Sequence, residues 1–233
     1  VIAGRVAAVR ERIARAAARA GRRAEDVTLV AVSKTFPADA VREAFAAGLT
    51  DFGENKVQEA EGKIGALTDL GLHWHLVGHL QSNKAKKAGM LFDLVHSLDG
   101  ADLARRLAQV GAERSRPVRV LAQVDLAGEE SKFGLSEPNL FPTLQALQSL
   151  EWLRVEGLMI LPPYSDDPEA TRPYFRRLRE LRDHAAKDGL LKGLQLSMGM
   201  SHDLEAAVEE GATIVRVGTA IFGERAKPLR QES

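Results

Sequence analysis

Short β-branched apolar runs alternate along this chain with longer stretches in which apolar residues recur every three or four positions. Ile2, Val6, Val9 and Ile13 fall at spacings of four, three and four, which places them on one face of an opening helix. The first β-branched run covers residues 27–34, and after Pro37 a helical stretch continues through Ala46 to a stop at Gly48. A short strand is predicted at 51–55, and the helix after it carries Val57, Ala60, Glu61 and Ile64. Further strands are predicted at 73–78, 94–97 and 118–125, with a basic helix at 82–89 and another helix at 102–113 between them. The pattern continues with a helix at 139–150, where Pro142 falls in the expected first turn. A strand at 154–160 ends at Pro162-Pro163, and a long charged helix is expected at 169–187. Strands at 193–196 and 212–217 flank a last predicted helix at 204–210.

This rhythm gives about eight strand–helix units with short connections, the pattern of a parallel sheet with helical crossovers. The strands are apolar on both faces, as expected where a barrel interior and a helical jacket cover both sides. An open doubly wound sheet is the competing architecture, but it normally carries a Gly-rich turn after its first strand. Here that strand closes with Ser33, Lys34 and Thr35. The expectation is an α/β fold: a single (β/α)8 barrel spanning residues 1–233, with an extra N-terminal helix.

Composition narrows the function classes. Thirty-two basic residues balance thirty-two acidic ones, so the net basic footprint of a nucleic-acid binder is missing. Cysteine is absent, which removes disulfides, thiolate metal sites and cysteine nucleophiles together. The Arg- and Ala-rich start could be taken for a transit peptide, but Glu11 and the helical spacing favour an ordinary amphipathic helix. No stretch approaches the roughly 20 apolar residues needed to cross a bilayer. A cytoplasmic location without membrane contact is expected.

In a barrel, functional groups belong at the C-terminal ends of strands, and phosphate binds near the last two. That rule selects Lys34 after the first strand, Asn55 after the second and His79 after the third. It also selects Ser197 to Ser201 after the seventh, and Arg216, Gly218 and Thr219 in and after the eighth. Lys34 closes an apolar run and should sit half removed from water, where burial and neighbouring cations favour the neutral, nucleophilic amine. The bland alternative is a lysine snorkelling from a strand end. Gly218 lets backbone approach a ligand, Thr219 supplies a hydroxyl and an amide, and Ser197 and Ser201 flank a glycine in the preceding loop. Together they suggest a phosphate cradle. Ser201, with Asp203, is also expected to cap the helix that follows. Arg216 shares its strand parity with Gly218 and needs a partner, either a buried carboxylate or a ligand. His73 and His75 alternate on one strand, but no third ligand stands at a telling spacing, so they are read as core histidines rather than a metal site.

Five ordered motifs then bear on identity. They are Ala31-Val-Ser-Lys-Thr35; Phe52-Gly-Glu-Asn55 with Val57-Gln-Glu59; and Trp74-His75 followed by Gly78-His-Leu-Gln-Ser-Asn-Lys84. The last two are Leu196-Ser-Met-Gly-Met-Ser-His-Asp203 and Val215-Arg-Val-Gly-Thr-Ala-Ile-Phe-Gly223. Together they resemble the pyridoxal-phosphate homeostasis protein family over nearly the whole chain. The resemblance implies a fold-type III barrel similar to the N-terminal domain of alanine racemase. It implies pyridoxal 5′-phosphate held as a Schiff base on Lys34, with Arg216 facing the pyridine nitrogen and Asn55 beside the cofactor. Ser197, Ser201, Gly218 and Thr219 would surround the phosphate. His202 stands where the family commonly has Asp, and His79 where Pro is frequent. The implied role is control of the vitamin B6 pool without catalytic turnover, with the cofactor, and apo-enzymes that use it, as partners. A weak racemase is the alternative. Against it, the sequence closes about ten residues after Gly223, which leaves no expected room for the racemase's second domain, so a monomer is the expected state. In addition, neither Tyr164 nor Tyr174 lies in a motif like that of the racemase's catalytic tyrosine.

Overall fold

A computed structural model describes residues 1–128 and 133–224. Its centre is a closed ring of parallel strands: β1 (Thr28–Val32), β2 (Asp51–Glu54), β3 (His73–Leu76), β4 (Leu94–Leu98), β5 (Val118–Asp125), β7 (Leu153–Ile160), β8 (Gln195–Ser197) and β9 (Ile214–Val217). Each pairs with the next, and β9 returns to β1 with Leu29 opposite Val215 and Val30 opposite Arg216. The expected (β/α)8 barrel is therefore present. A two-residue strand, β6 (Leu135–Ser136), adds to the upper end of β5. No periodicity could have signalled so short a piece.

Two apolar layers result from the alternation of side chains along closed strands. Val30, Leu94, Leu121, Met159 and Ile214 fill the lumen. The larger layer lies between strands and helices and draws on Ala31, Phe52, Trp74, Leu76, Val95, Leu158 and Val215 from the sheet. Because the helical jacket covers the sheet's outer face, both strand parities are buried, as the uninterrupted apolar runs required.

The jacket is formed by α2 (Ala38–Ala46), α3 (Val57–Ala66), α4 (Ala85–Leu91), α5 (Ala101–Glu113), α6 (Glu137–Leu147), α7 (Arg172–Lys187) and α8 (Leu204–Glu209). The helix after β9, α9 (Thr219–Phe222), has only four residues and cannot cover its share of the sheet. The opening helix α1 (Ile2–Arg19) packs against α2, α8 and α9 and covers that share instead. Ile2, Val6, Val9 and Ile13 are all buried there, as their spacing predicts. No helix among the described residues is long and apolar enough to cross a membrane.

Boundaries differ from expectation where a tight turn precedes a helix. The basic segment begins as a 3-10 turn, Ser82–Lys84, before α4, and α7 is led in by a second one, Pro168–Thr171. Helix α6 starts at Glu137 with Pro138 in its first turn, so Pro142 lies inside the helix rather than at its start. Pro142 therefore costs the helix a backbone donor.

Because α1 substitutes for a jacket helix, its buried face should carry real stability. Ile13→Ala is expected to cost about 2–4 kcal/mol. The exposed Arg15→Ala, which breaks only a surface pair with Glu11, should cost less than about 0.5 kcal/mol. Urea unfolding midpoints of the two variants check the contrast.

Candidate functional site

A cavity of about 510 Å³ opens at the C-terminal ends of the strands, within the size range of small-molecule sites. Lys34 follows β1, Asn55 follows β2 and Gly78-His79 follows β3 on its wall. Residues 161–165 after β7, residues 200–203 after β8, and Arg216, Gly218 and Thr219 complete it. Lys34, Asn55, His79, Ser201, Arg216, Gly218 and Thr219, all selected from sequence, therefore meet in one place. Val32, Val77, Leu161 and Met200 supply apolar walls between them.

Lys34 is half-buried and sits on a turn closed by the Phe36 N–H donating to the Ser33 carbonyl at 3.0 Å. The next residue, Thr35, has φ +68°, a left-handed conformation that a β-branched side chain rarely adopts. A buried polar cluster holds this strained turn from behind. Lys63 donates to the Ser33 carbonyl at 2.8 Å and to Glu54 Oε1 at 2.5 Å, and the Ser33 hydroxyl also donates to Glu54 Oε1. The Glu59 carboxylate accepts from the Thr35 N–H and lies 3.6 Å from Lys63. Burial pushes the Glu54 carboxyl above its ordinary range, against the opposing pull of Lys63 and Ser33. Glu54 and Glu59 lie within the quoted motifs, but the lysine that joins them, Lys63, shows no signal in the chain beyond a helical position.

Arg216 is almost completely buried. One arm of its guanidinium donates to the Ser197 hydroxyl and the other to the Ile160 carbonyl at 2.9 Å, so β7, β8 and β9 meet at this side chain. Burial pulls its pKa down to about 10, with Asp203 acting in the opposite direction, so it remains charged at neutral pH. The partner it needs is thus a hydroxyl and a carbonyl, with the Asp203 charge nearby, rather than a directly bonded carboxylate.

Two expectations about serines change. Ser197 does not line the cavity: it is fully buried, and its hydroxyl is taken up by Arg216 and by His96 Nδ1 at 2.8 Å. Its strand parity turns it into the lumen beneath Arg216, away from the rim. Ser201 does not cap α8, and neither does Asp203. The Ser201 hydroxyl accepts from the Ala220 N–H at 3.2 Å, and Asp203 Oδ1 accepts from the Met200 N–H at 2.7 Å. Both side chains therefore shape the loop over the cavity, and Ser201 ties it to α9.

His79 stacks on Phe133 with ring centroids 3.5 Å apart and lies 3.4 Å from Asp99. His202 reaches the Asp166 carbonyl at 3.2 Å, which joins the loops after β7 and β8. No cluster among the described residues could hold a metal ion, and His73 and His75 share Asp51 instead. The residue that sequence reasoning missed is His96, fully buried between His75 and Ser197. Burial first, then competition with the adjacent His75 ring and the Arg216 charge, hold its pKa well below the ordinary imidazole value, so it is neutral. Its position on β4, in phase with Leu94, was the available signal.

The alanine racemase N-terminal domain model matches residues 5–226. The pyridoxal phosphate homeostasis protein of Aquifex aeolicus is 46% identical over 221 residues, covering 95% of this chain and 97% of that protein. Its Escherichia coli K12 counterpart is 42% identical, covering 96% and 97%. The chain belongs to the pyridoxal phosphate homeostasis protein family. PipY of Synechococcus elongatus, solved with PLP bound, superposes with a TM-score of 0.85 at 41% identity, covering 96% of this chain and all of PipY. The alanine racemase of Streptomyces coelicolor, 22% identical with a TM-score of 0.68, shares the fold. This chain covers 58% of that enzyme. The cavity of this chain combines an amine, a buried guanidinium and hydroxyls at one barrel mouth.

A buried neutral imidazole makes stability pH-dependent with a fixed sign. Below the ordinary value of about 6.5, the unfolded chain takes up a proton that folded His96 refuses, so stability falls toward acid. The difference in unfolding free energy between the unaltered protein and His96→Gln should be flat above about pH 7. It should then shrink toward acid by up to about 1.4 kcal/mol per pH unit. Urea titrations from pH 8 to 5 measure this, and a constant difference would count against a neutral His96.

Proposed function

We propose that this protein binds pyridoxal 5′-phosphate, carries it on Lys34 as a Schiff base, and serves in intracellular control of the vitamin B6 pool without catalytic turnover. The observation that carries the reading is the placement of Lys34 and Arg216 on the wall of the same cavity as Ser201, Gly218 and Thr219. The residues present fit such a group. Lys34 offers an amine, Arg216 a permanent charge, and Ser201 and Thr219 offer hydroxyls for an anionic tail. Gly218 leaves the approach open, since a Cβ there would stand 3.3 Å from the Val32 carbonyl oxygen. The names of the curated relatives and the PLP-bound structure of PipY support the same assignment.

When bound, the cofactor supplies an aldehyde that condenses with an amine and a ring that draws electrons. Lys34 would be the amine that holds the aldehyde, on a turn that Lys63 and Glu59 fix at the cavity wall. Arg216 would face the ring nitrogen as a donor that keeps its own proton, which would leave that nitrogen unprotonated and the ring a poorer electron sink. Asn55 would lie beside the ring, and the apolar walls would exclude water from its faces. On this reading the protein acts in the cytoplasm as a single copy and passes the cofactor to apo-enzymes.

One observation favours the alternative of a weak racemase: Tyr164 lines the cavity and could act as a second base. That tyrosine is 81% exposed, and its hydrogen bond to Asp166 raises the phenol above its ordinary value, so it stays protonated at neutral pH. A protonated phenol does not abstract an α-proton.

The unaltered protein mixed with pyridoxal 5′-phosphate should show a visible absorption band and become irreversibly labelled on borohydride reduction. Lys34→Ala should lose both while keeping its unfolding midpoint within about 1 kcal/mol. A band that survives in Lys34→Ala would exclude this attachment. Solvent-deuterium exchange at the α-carbon of amino acids should be undetectable, and robust exchange would favour the racemase.

A further inference from the structure

Beneath the cavity a column of hydrogen-bonded side chains crosses the lumen. Arg216 donates to Ser197 Oγ, Ser197 Oγ lies 2.8 Å from His96 Nδ1, and His96 Nε2 lies 2.9 Å from His75 Nδ1. His75 Nε2 then lies 3.0 Å from Asp51 Oδ1. The lower end reaches a second cavity of about 510 Å³, between α1 and the starts of the strands, with Arg10, Ile13, Thr28 and Asp51 on its wall. The two ends of the barrel are therefore joined through β9, β8, β4, β3 and β2.

The direction of this column follows from proton counting. Arginine can only donate, and an ionised carboxylate can only accept. Burial pushes the Asp51 carboxyl up, but the hydrogen bonds from His75 and Thr50 and the nearness of the His73 and His75 rings outweigh it. The carboxyl stays below its ordinary range and ionised. His75 must then donate from Nε2 and, if neutral, accept at Nδ1. His96 fills that acceptor from its own Nε2 and accepts at Nδ1, where the Ser197 hydroxyl donates. With both imidazoles neutral, this is the one arrangement that gives each of the four links a single hydrogen. A second proton on either ring puts a hydrogen on His96 Nδ1, so that Ser197 accepts there as well and its own hydrogen leaves the column. The groups facing this pair are Asp51 from β2, His73 from β3, Ser197 from β8 and Arg216 from β9.

We propose that Asp51, His75, His96 and Ser197 are positioning residues that form a one-way hydrogen-bond relay and hold Arg216 aimed at the ring of the bound cofactor. The consequence for ligand binding rests on reading the upper cavity as the cofactor site, whereas the relay itself does not. With its own hydrogen committed to His96, Ser197 Oγ turns its lone pairs toward Arg216, and that commitment is passed down to Asp51. A change at the barrel base is thus felt at Arg216 without any contact between Asp51 and the ligand.

The test has two arms. Long-range ¹H–¹⁵N spectra of histidine-labelled protein at neutral pH, assigned with His75→Gln and His96→Gln, should show both rings as Nε2–H tautomers. A hydrogen on Nδ1 of either ring, or a doubly protonated ring, overturns the relay whether or not cofactor binds. In the second arm, pyridoxal 5′-phosphate is titrated into variants and followed by absorbance. Asp51→Ala and Ser197→Ala should weaken binding about fivefold, the worth of one hydrogen bond. Asp51→Asn and Ser197→Thr, which keep the acceptor and the hydroxyl, should bind within about twofold of the unaltered protein. Equal binding by Asp51→Ala and the unaltered protein overturns the positioning role, as does equal weakening by Asp51→Asn and Asp51→Ala. If the unaltered protein binds no cofactor, the proposed function fails, and the tautomers still decide the relay.

Discussion

A guanidinium taken out of water governs the centre of this molecule. Arg216 keeps its charge because arginine cannot shed a proton under ordinary conditions, and a bare buried cation is costly. The fold meets that cost with the Ile160 carbonyl at the end of β7, the Ser197 hydroxyl on β8 and the nearby Asp203 charge. Each of these demands something further. Ser197 in turn meets His96, in a lumen that the polar column shares with Val30, Leu94, Leu121, Met159 and Ile214. The polar column is therefore a consequence of placing a permanent cation at the barrel mouth.

The lysine turn is built on a different principle. Its strain lies in the backbone, at Thr35, and the compensation comes from carboxylates and one lysine on the adjoining β2 and α3. Strained backbone persists where the surroundings over-determine it, and such places cluster at functional sites. Lys34 and Arg216 thus stand on two independently supported walls of one cavity. A defect behind one wall need not disturb the other.

The barrel was legible because its strands are buried on both faces and its helices are long, so the two periodicities alternate without ambiguity. Rim residues were legible for a related reason. Strand ends can be counted, and Lys34, Asn55, Arg216 and Gly218 follow from the count. What the chain concealed depends on contacts between distant elements. Ser197 sits next to the rim in sequence, but one step of strand parity turns it into the lumen, and the short β8 gave too few residues to fix that parity beforehand. His96 and Lys63 acquire their roles only when β4 faces β8 and α3 folds back on β1. The missing caps of α8 show the same limit. Serine and aspartate are capable of capping, and the loop used both for other bonds.

The helix α1 completes a jacket whose last member is too short, so the first and last helices of the described chain touch. During synthesis its apolar stripe must wait for partners made some two hundred residues later, and β1 likewise waits for β9. Loop-closure entropy makes such far-separated pairings slow to form. Until the ring is sealed, the growing chain therefore carries the α1 stripe partly uncovered and an open sheet edge at β1.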